Sequence, residues 1–398
     1  MKRHLVIVGG IVYPEPSPTG LCSMRYASLL DEDYDVEFIA ISNNGKEEYV
    51  TYDGVPVHTL ICKRLSIEYK TTGTLKKLIH LYGSSLLRTS IMGNLGWYSK
   101  AAYKELESIH NVRPIDVILT VCSPFSAHIA GAKFKKAHPE VRFNAYTVDP
   151  FATSNRIIPL FRKFGDLVTL ERNISSQADC LFLSEEAIAS RQDLYGDIMQ
   201  KMALPYLLPE VNDAEGGVFD DEHIHCVYAG SFYRNIRNPE YMLKVFSMLN
   251  NKKIILHLYS AGCDDLIQEY ASMCDQIQFH GYVSQVELQQ VYASCDFLIG
   301  VGNSMNDFLP SKTYEYLAQM RPVVFFNSKG YENKVLENYP HSLQLFDDVD
   351  VSESVRKLGD FISREVGMTI SKVELSSLYE KNTPDYVREV LINGLQGN

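Results

Sequence analysis

The strongest constraint on this chain is an alternation of short apolar runs with helical patterns, and the alternation occurs twice. In the first half the runs at 5–8, 36–40, 117–121, 143–148 and 180–183 read as buried strands, with helical spacing at 23–30, 97–109 and 127–137. In the second half strands are expected at 226–229, 254–260, 278–279, 297–301 and 323–326. Helices are expected there at 239–249, 265–273, 285–293 and 311–319. Such alternation requires crossover connections, hence parallel sheets covered by helices on both faces. The polar stretch PEVNDAEGGVFDDEH at 209–223 has the composition of an exposed joint between the two halves. The expected fold class is therefore α/β, with two doubly wound Rossmann-like domains, 1–208 and 209–375, facing a cleft. Ligands in such sheets lie beyond the carboxyl ends of the strands. The last segment, 378–395, has helical spacing interrupted near Pro384, and the sequence does not say on which domain it packs.

At 398 residues the chain is too long for one ordinary core. A net charge of -11 argues against a nucleic-acid partner, which calls for a basic surface. The eight cysteines are scattered with no CxxC pair, so a metal or disulfide framework is not expected and reduced cytosolic thiols fit better. The opening MKRHLVIVGG carries an apolar run too short for a signal peptide, and no apolar segment approaches a membrane span. A cytoplasmic protein is the expectation. One stretch departs from the acidic balance. Within 62–100, Lys63, Arg64, Lys70, Lys76, Lys77, Arg88 and Lys100 are opposed only by Glu68, with Leu75, Leu78, Ile79, Leu81, Leu86, Leu87 and Ile91 interleaved. A basic amphipathic surface of this kind can lie on anionic lipid at the inner face of the cell membrane. A helical insertion packed on the first domain, with a solvated basic face, is the slightly favoured reading.

Five stretches could carry chemistry. In NDFLPSKTYEYLAQMRPVVFFN (306–327), Pro310 and Ser311 read as the start of a helix whose free amides attract an anion, and Lys312 adds a full positive charge. Glu315, one turn in, would reach neutral hydroxyls beside that anion, and Asp307 lies upstream in the loop. In VYAGSFYRNIRNPEYML (227–243) a strand ends at Gly230-Ser231 and a loop carries Arg234 and Arg237, whose guanidinium forks match phosphate oxygens. FHGYV (279–283) places Gly281 among aromatic residues, with Tyr282 as a stacking face for a flat base. The loop at 9–25 ends in Thr19-Gly20, but its glycines lack the dinucleotide spacing, which disfavours an NAD site. Asp149-Pro150 closes a strand on the same side; taken by itself it reads as a structural Asp-Pro turn rather than a functional carboxylate.

Taken in order, these residues resemble the retaining glycosyltransferases of GT-B architecture, family 4 (group 1) in particular. AGSFYRNIRNP, then FHGYV, then YASCDFLIGV, then NDFLPSKTYEYLAQMRPVV follow one another over 226–326 as that family's motifs do; the first half agrees more loosely, through Gly20, Asp149-Pro150 and Glu171. The resemblance implies that Glu315 holds the ribose of a nucleotide-sugar donor and Asp307 the transferred sugar. The diphosphate would meet Arg237, Arg234, Lys312 and backbone at Ser231, Ser311 and Thr313. The base would contact backbone near His280, Tyr282 and Val283, and Gly20 would approach the diphosphate from the first domain. Asp149 would face the acceptor or the reacting sugar. No cofactor and no metal are implied, since cationic side chains offset the leaving diphosphate. The C-terminal helix, about 376–398, would cross back onto the first domain.

Four departures from the family pattern stand out. Asp307 replaces a Glu, Ser231 replaces a basic residue, Met320-Arg321 stands where Gly is common, and Asp149 stands where many members carry His. The implied activity is transfer from a UDP-sugar to a glycan, lipid-linked in a bacterial capsule or O-antigen pathway. Two alternatives share the donor site: a nucleotide-sugar epimerase or hydrolase, and a non-catalytic partner subunit. The presence of Arg237, Asp307 and Glu315 favours catalysis.

Overall fold

The computed structural model describes residues 2–61, 91–148, 150–152, 167–211, 217–303 and 312–397, with side chains from 97 onward in the 91–148 segment. The chain divides into two compact units, Met1–Pro205 with Asp385–Asn398, and Tyr206–Pro384.

The first unit holds an eight-stranded sheet of order β3-β4-β2-β1-β5-β6-β7-β8. Its strands are β1 (Arg3–Val8), β2 (Tyr34–Ile41), β3 (Glu48–Tyr52), β4 (Val55–Leu60), β5 (Val117–Cys122), β6 (Arg142–Thr147), β7 (Cys180–Leu183) and β8 (Lys201–Ala203). All neighbours are parallel except the β3–β4 hairpin, an edge that the apolar runs of the sequence do not mark. Its turn is Asp53-Gly54, both at positive φ (52° and 79°), the two-residue geometry whose twist suits a hairpin. Helices α1 (Pro18–Leu30), α2 (Ile91–Val112), α3 (Ser126–Ala137), α4 (Leu167–Ser175), α5 (Glu185–Ser190) and α6 (Gln192–Tyr195) connect the strands. Helix α1 starts five residues before the expected 23, because Ser17 caps it by accepting the Gly20 N–H (3.1 Å) and Pro18 suits the first turn.

The second unit is a six-stranded, wholly parallel sheet of order β11-β10-β9-β12-β13-β14. Its strands are β9 (Ile224–Ser231), β10 (Ile254–Ala261), β11 (Ile277–Phe279), β12 (Phe297–Val301), β13 (Val323–Asn327) and β14 (Ser342–Phe346). Between them run α7 (Glu240–Ser247), α8 (Asp264–Met273), α9 (Gln285–Ser294) and α10 (Lys312–Ala318), followed by α11 (Val351–Glu365) and α12 (Lys372–Leu378). Side-chain alternation splits the core in two. Cys226 and Tyr228 of β9 face Met242, Phe246 and Leu358, whereas Val227 and Ala229 face Leu288, Tyr292 and Leu317. Strand order reverses between β9 and β12, so the switch-point crevice of this sheet lies there.

The C-terminal segment is not one interrupted helix. Helix α12 is capped by Ser371 and sits in the second unit, where Leu375 and Tyr379 join the core beside α10. Pro384 then starts a separate helix, α13 (Pro384–Gln396), rather than breaking one. That helix packs in the first unit. Arg142 donates to the Gly394 carbonyl (3.2 and 2.9 Å), and Arg388 donates to the Leu29 carbonyl (3.2 Å) and to Asp33 (2.6 Å).

Candidate active site

At the switch point of the second unit, β9 and β12 pair only through Cys226–Phe297 and Val227–Leu298. Past that point the Tyr316 hydroxyl of α10 enters the gap, donating to the Ala229 carbonyl (3.0 Å) and accepting from the Ala229 N–H (3.2 Å). The crevice so opened is spanned by one guanidinium. Arg237 donates twice to Asn303 Oδ1 (3.2 and 3.0 Å), just beyond β12, and reaches the Ser231 carbonyl at the end of β9 (3.4 Å). Reciprocal backbone bonds between Tyr233 and Arg237 (3.1 and 2.7 Å) close the loop that presents it. The charge is therefore fixed in place at the carboxyl ends of both central strands.

Lys312, the first residue of α10, lies 3.4 Å from the Tyr292 hydroxyl and 3.5 Å from Glu315 Oε2. Gly230 makes room for it. Gly230 has φ 153°, and a Cβ there would sit 3.2 Å from the Tyr228 hydroxyl and 3.6 Å from Lys312 Cδ. Burial pushes the phenols of Tyr292 and Tyr316 up, so both stay protonated. The site thus groups Ser231, Arg237, Lys312 and Glu315 from two separate stretches of sequence. A pocket of about 360 Å³ opens beside it, where Asn238 and Glu240 meet Gly302 and Asn327.

The other expected site residues are placed as follows. Arg234 does not join Arg237; it is exposed and pairs with Asp265 at the start of α8. Thr313 is buried and its hydroxyl accepts from Asn333 (3.0 Å), so only its backbone is available to a ligand. His280 follows β11, its N–H bonded to the Leu258 carbonyl (3.0 Å) and its ring stacked on Tyr259 at 4.5 Å. Gly281 turns the chain at φ 75°, which leaves Tyr282 70% exposed while Val283 packs against the α9–α10 core.

In the first unit Gly20 is buried, and a Cβ there would come within 1.8 Å of the Ile11 carbonyl oxygen. Backbone packing alone thus demands glycine at that position. Glu171 is wholly buried and holds the segment after Pro150, accepting from the N–H groups of Phe151 (3.0 Å) and Ala152 (2.6 Å) and from Tyr195 (2.7 Å). Burial raises its carboxyl above the usual range despite these bonds. Asp149, Asp307 and Ser311 lie outside the described residues, as do 62–90 of the basic stretch. Among the described residues, His110, His138 and Glu140 bring three ligand atoms within 4.8 Å, but His110 Nδ1 accepts the Ile115 N–H and His138 faces Glu107 at 3.1 Å.

Asn303, Tyr292 and Tyr316 were not expected from the sequence. The one available signal was that Asn303 lies two residues past a strand end, where a polar side chain meets the crevice.

Residues 223–363 match the family described as "Glycosyl transferases group 1". No curated protein matches the chain. Among solved structures, sucrose-phosphate synthase from Thermosynechococcus elongatus is similar over 99% of both chains at 12% identity (TM-score 0.69). The α,α-trehalose 6-phosphate synthase of Burkholderia multivorans is similar over 100% of this chain and 99% of its own, at 12% identity (TM-score 0.61). A lipopolysaccharide outer core galactosyltransferase is similar over 99% of both at 11% identity (TM-score 0.57). At such identities the likeness is one of fold, and it defines a two-domain Rossmann-like protein of the GT-B type. The chain is a glycosyltransferase, and the match to glycosyl transferases group 1 covers its residues 223–363. No helix among the described residues is long and apolar enough to cross a membrane.

Proposed function

We propose that the protein moves a sugar, with retention, from a UDP-linked donor to a glycan acceptor carried on lipid, in the synthesis of a surface polysaccharide. The observation that carries the donor assignment is the Arg237 guanidinium held across the ends of β9 and β12, with Lys312 and Glu315 beside it. Two cations at a switch point offset a diphosphate, and a carboxylate one helical turn away accepts from ribose hydroxyls. His280 stands next to Tyr259, whose strand partner is Ala229, so two strand spacings, about 10 Å, separate a base at β11 from phosphates at β9. That span suits a nucleoside diphosphate. The galactosyltransferase of lipopolysaccharide outer core among similar folds supports a glycan acceptor.

In the transfer, the anomeric carbon–phosphate oxygen bond breaks as a bond to the acceptor oxygen forms on the same face. The acceptor's proton passes to the departing diphosphate. Arg237 and Lys312 stabilise that leaving charge, which is why we propose a reaction without metal. Asp307 would hold the transferred sugar and Asp149 would face the acceptor.

The test is thermal stabilisation across UDP-, GDP-, ADP- and dTDP-sugars in chelator, with wild type beside Glu315→Ala. A shift with one nucleotide, lost in the variant, is the expected result. No shift with any of them overturns the donor assignment. A changed nucleotide sugar released in the absence of acceptor would instead assign an epimerase or hydrolase.

A further inference from the structure

Three histidines cross the second sheet in hydrogen-bonded series. Asp221 Oδ1 lies 3.1 Å from His225 Nε2; His225 Nδ1 lies 2.9 Å from His257 Nε2; His257 Nδ1 lies 3.0 Å from His280 Nε2. The series starts near the amino end of β9, passes through the middle of β10 and ends beyond the carboxyl end of β11. His225 and His257 are buried, and the Phe219 ring stacks on both at 4.2 and 4.3 Å. His280 is exposed, and its Nδ1 has no protein partner among the described residues.

Hydrogen-bond bookkeeping fixes the tautomers. The Asp221 carboxylate can only accept, and it already takes the His223 N–H (2.7 Å), the leading cause of a carboxyl held down at about 2. A neutral His225 must therefore carry its proton on Nε2 and accept at Nδ1. That forces Nε2–H on His257, and the same step forces Nε2–H on His280. Burial keeps His257 neutral, with its imidazole pushed down to about 3. The last ring is left with a lone pair at Nδ1, at the end of the sheet that holds Arg237 and Lys312.

We propose that Asp221, His225 and His257 are positioning residues that present His280 Nδ1 as a hydrogen-bond acceptor for the ring N–H of the donor's nucleobase. This selects a base with an imide-type N–H (uracil, thymine or guanine) over adenine or cytosine. The inference rests on the nucleotide-sugar donor proposed above, and it names the group that reads the base. The Tyr259 stack fixes the plane of the His280 ring. The turn at Gly281 is open, since a Cβ there would meet no atom within 4 Å, and this leaves the approach to the ring clear.

Two measurements on the full-length protein test it. Nitrogen-15 spectra of the histidine rings at neutral pH should show Nε2–H and bare Nδ1 on all three relay rings, with His280 Nδ1 moving on addition of UDP. A His280 ring protonated at Nδ1, or one unmoved by bound UDP, overturns the proposal. Calorimetric titration of UDP, dTDP, GDP, ADP, CDP and N3-methyl-UDP should show UDP tighter than N3-methyl-UDP by about 10-fold or more, the worth of one desolvated hydrogen bond. His280→Phe should abolish that ratio while still binding UDP, and Asp221→Ala should shrink it by freeing the tautomer. An unchanged ratio in His280→Phe, or a preference for ADP or CDP, overturns the inference alone. No binding of any nucleotide by wild type overturns the donor site and this role with it.

Discussion

The two units both bury histidines, and they finish the hydrogen bonding differently. In the first unit His128 is enclosed, with Nδ1 2.7 Å from the Thr120 hydroxyl and Nε2 3.0 Å from the Thr147 hydroxyl. Both nitrogens are satisfied inside the core, so that circuit is closed and can serve only the fold. In the second unit the buried rings pass their hydrogen bonds along to an exposed one, whose last nitrogen is left for something outside. The same contrast separates Glu171, fully used by its own chain, from the Arg237–Lys312–Glu315 group at an open crevice. A buried polar group is structural when its hydrogen bonds end inside the core. It points to function when they end at a surface.

The hardest test of that contrast is to remove one group from the open side. Arg237→Ala takes away the guanidinium that spans β9 and β12, and kcat/KM for sugar transfer should fall about 10²–10³-fold, as for loss of one charge-stabilising donor. The unfolding midpoint should hardly change. Comparable loss of stability would show that Arg237 is a brace like Glu171.

On the closed side the sign reverses. His128→Leu strands the Thr120 and Thr147 hydroxyls without their ring partner and should cost about 2–4 kcal/mol in urea unfolding. UDP affinity should stay within about 2-fold of wild type, because the ring touches nothing at the crevice. A variant of normal stability with weakened nucleotide binding would put His128 in the functional class and erase the distinction.

The doubly wound pattern could be read from the sequence because buried parallel strands are continuous apolar runs, VILTV or CLFL, that need no partner to be recognised. Edge strands gave no such signal. Strand β3, EYVTY, is half-buried, with Tyr49 exposed, and only the Asp53-Gly54 turn marked its hairpin. Arg237, Lys312 and Glu315 were found because each lies just past a strand or at a helix start, so local spacing sufficed. The histidine relay escaped because it depends on register. His225, His257 and His280 meet only when β10 pairs with β9 at Leu256–Cys226 and with β11 at Leu258–Phe279, and no local rule sets those offsets.

A smaller effect sharpens the closed side further. Gly394 of α13 packs where a Cβ would sit 2.2 Å from the Phe182 ring, so Gly394→Ala should destabilise the first unit by about 1–3 kcal/mol through overpacking. Thermal unfolding with and without UDP would show the increment from ligand unchanged, since no open-ended group is touched.

The smallest expected effect is a slope. His128 titrates near 3 because burial disfavours its charged form, against about 6.5 in an unfolded chain. Between those values the unfolded chain binds a proton that the folded one refuses, so stability rises with pH across that window and is lost as pH falls. His257, also near 3, adds the same sign. Glu37 is held near 2, first by the His4 ring 3.5 Å away and then by His58, and its contribution is present above about 4.5 and lost as pH falls toward 2. His58 works the other way: its raised pKa adds stability below about 6.5 that is lost as pH climbs through the folded value. Each refused proton is worth about 1.4 kcal/mol per pH unit. Urea unfolding from about pH 4 to 6 should therefore show a positive slope in wild type that His128→Leu lowers by about that amount. The ligand then separates the two histidines. A base N–H bonded to His280 stabilises the neutral relay, so bound UDP should make the slope from the second unit steeper and leave the share from His128 as it was. A slope that UDP does not alter, in wild type and His128→Leu alike, would mean that the relay is closed after all.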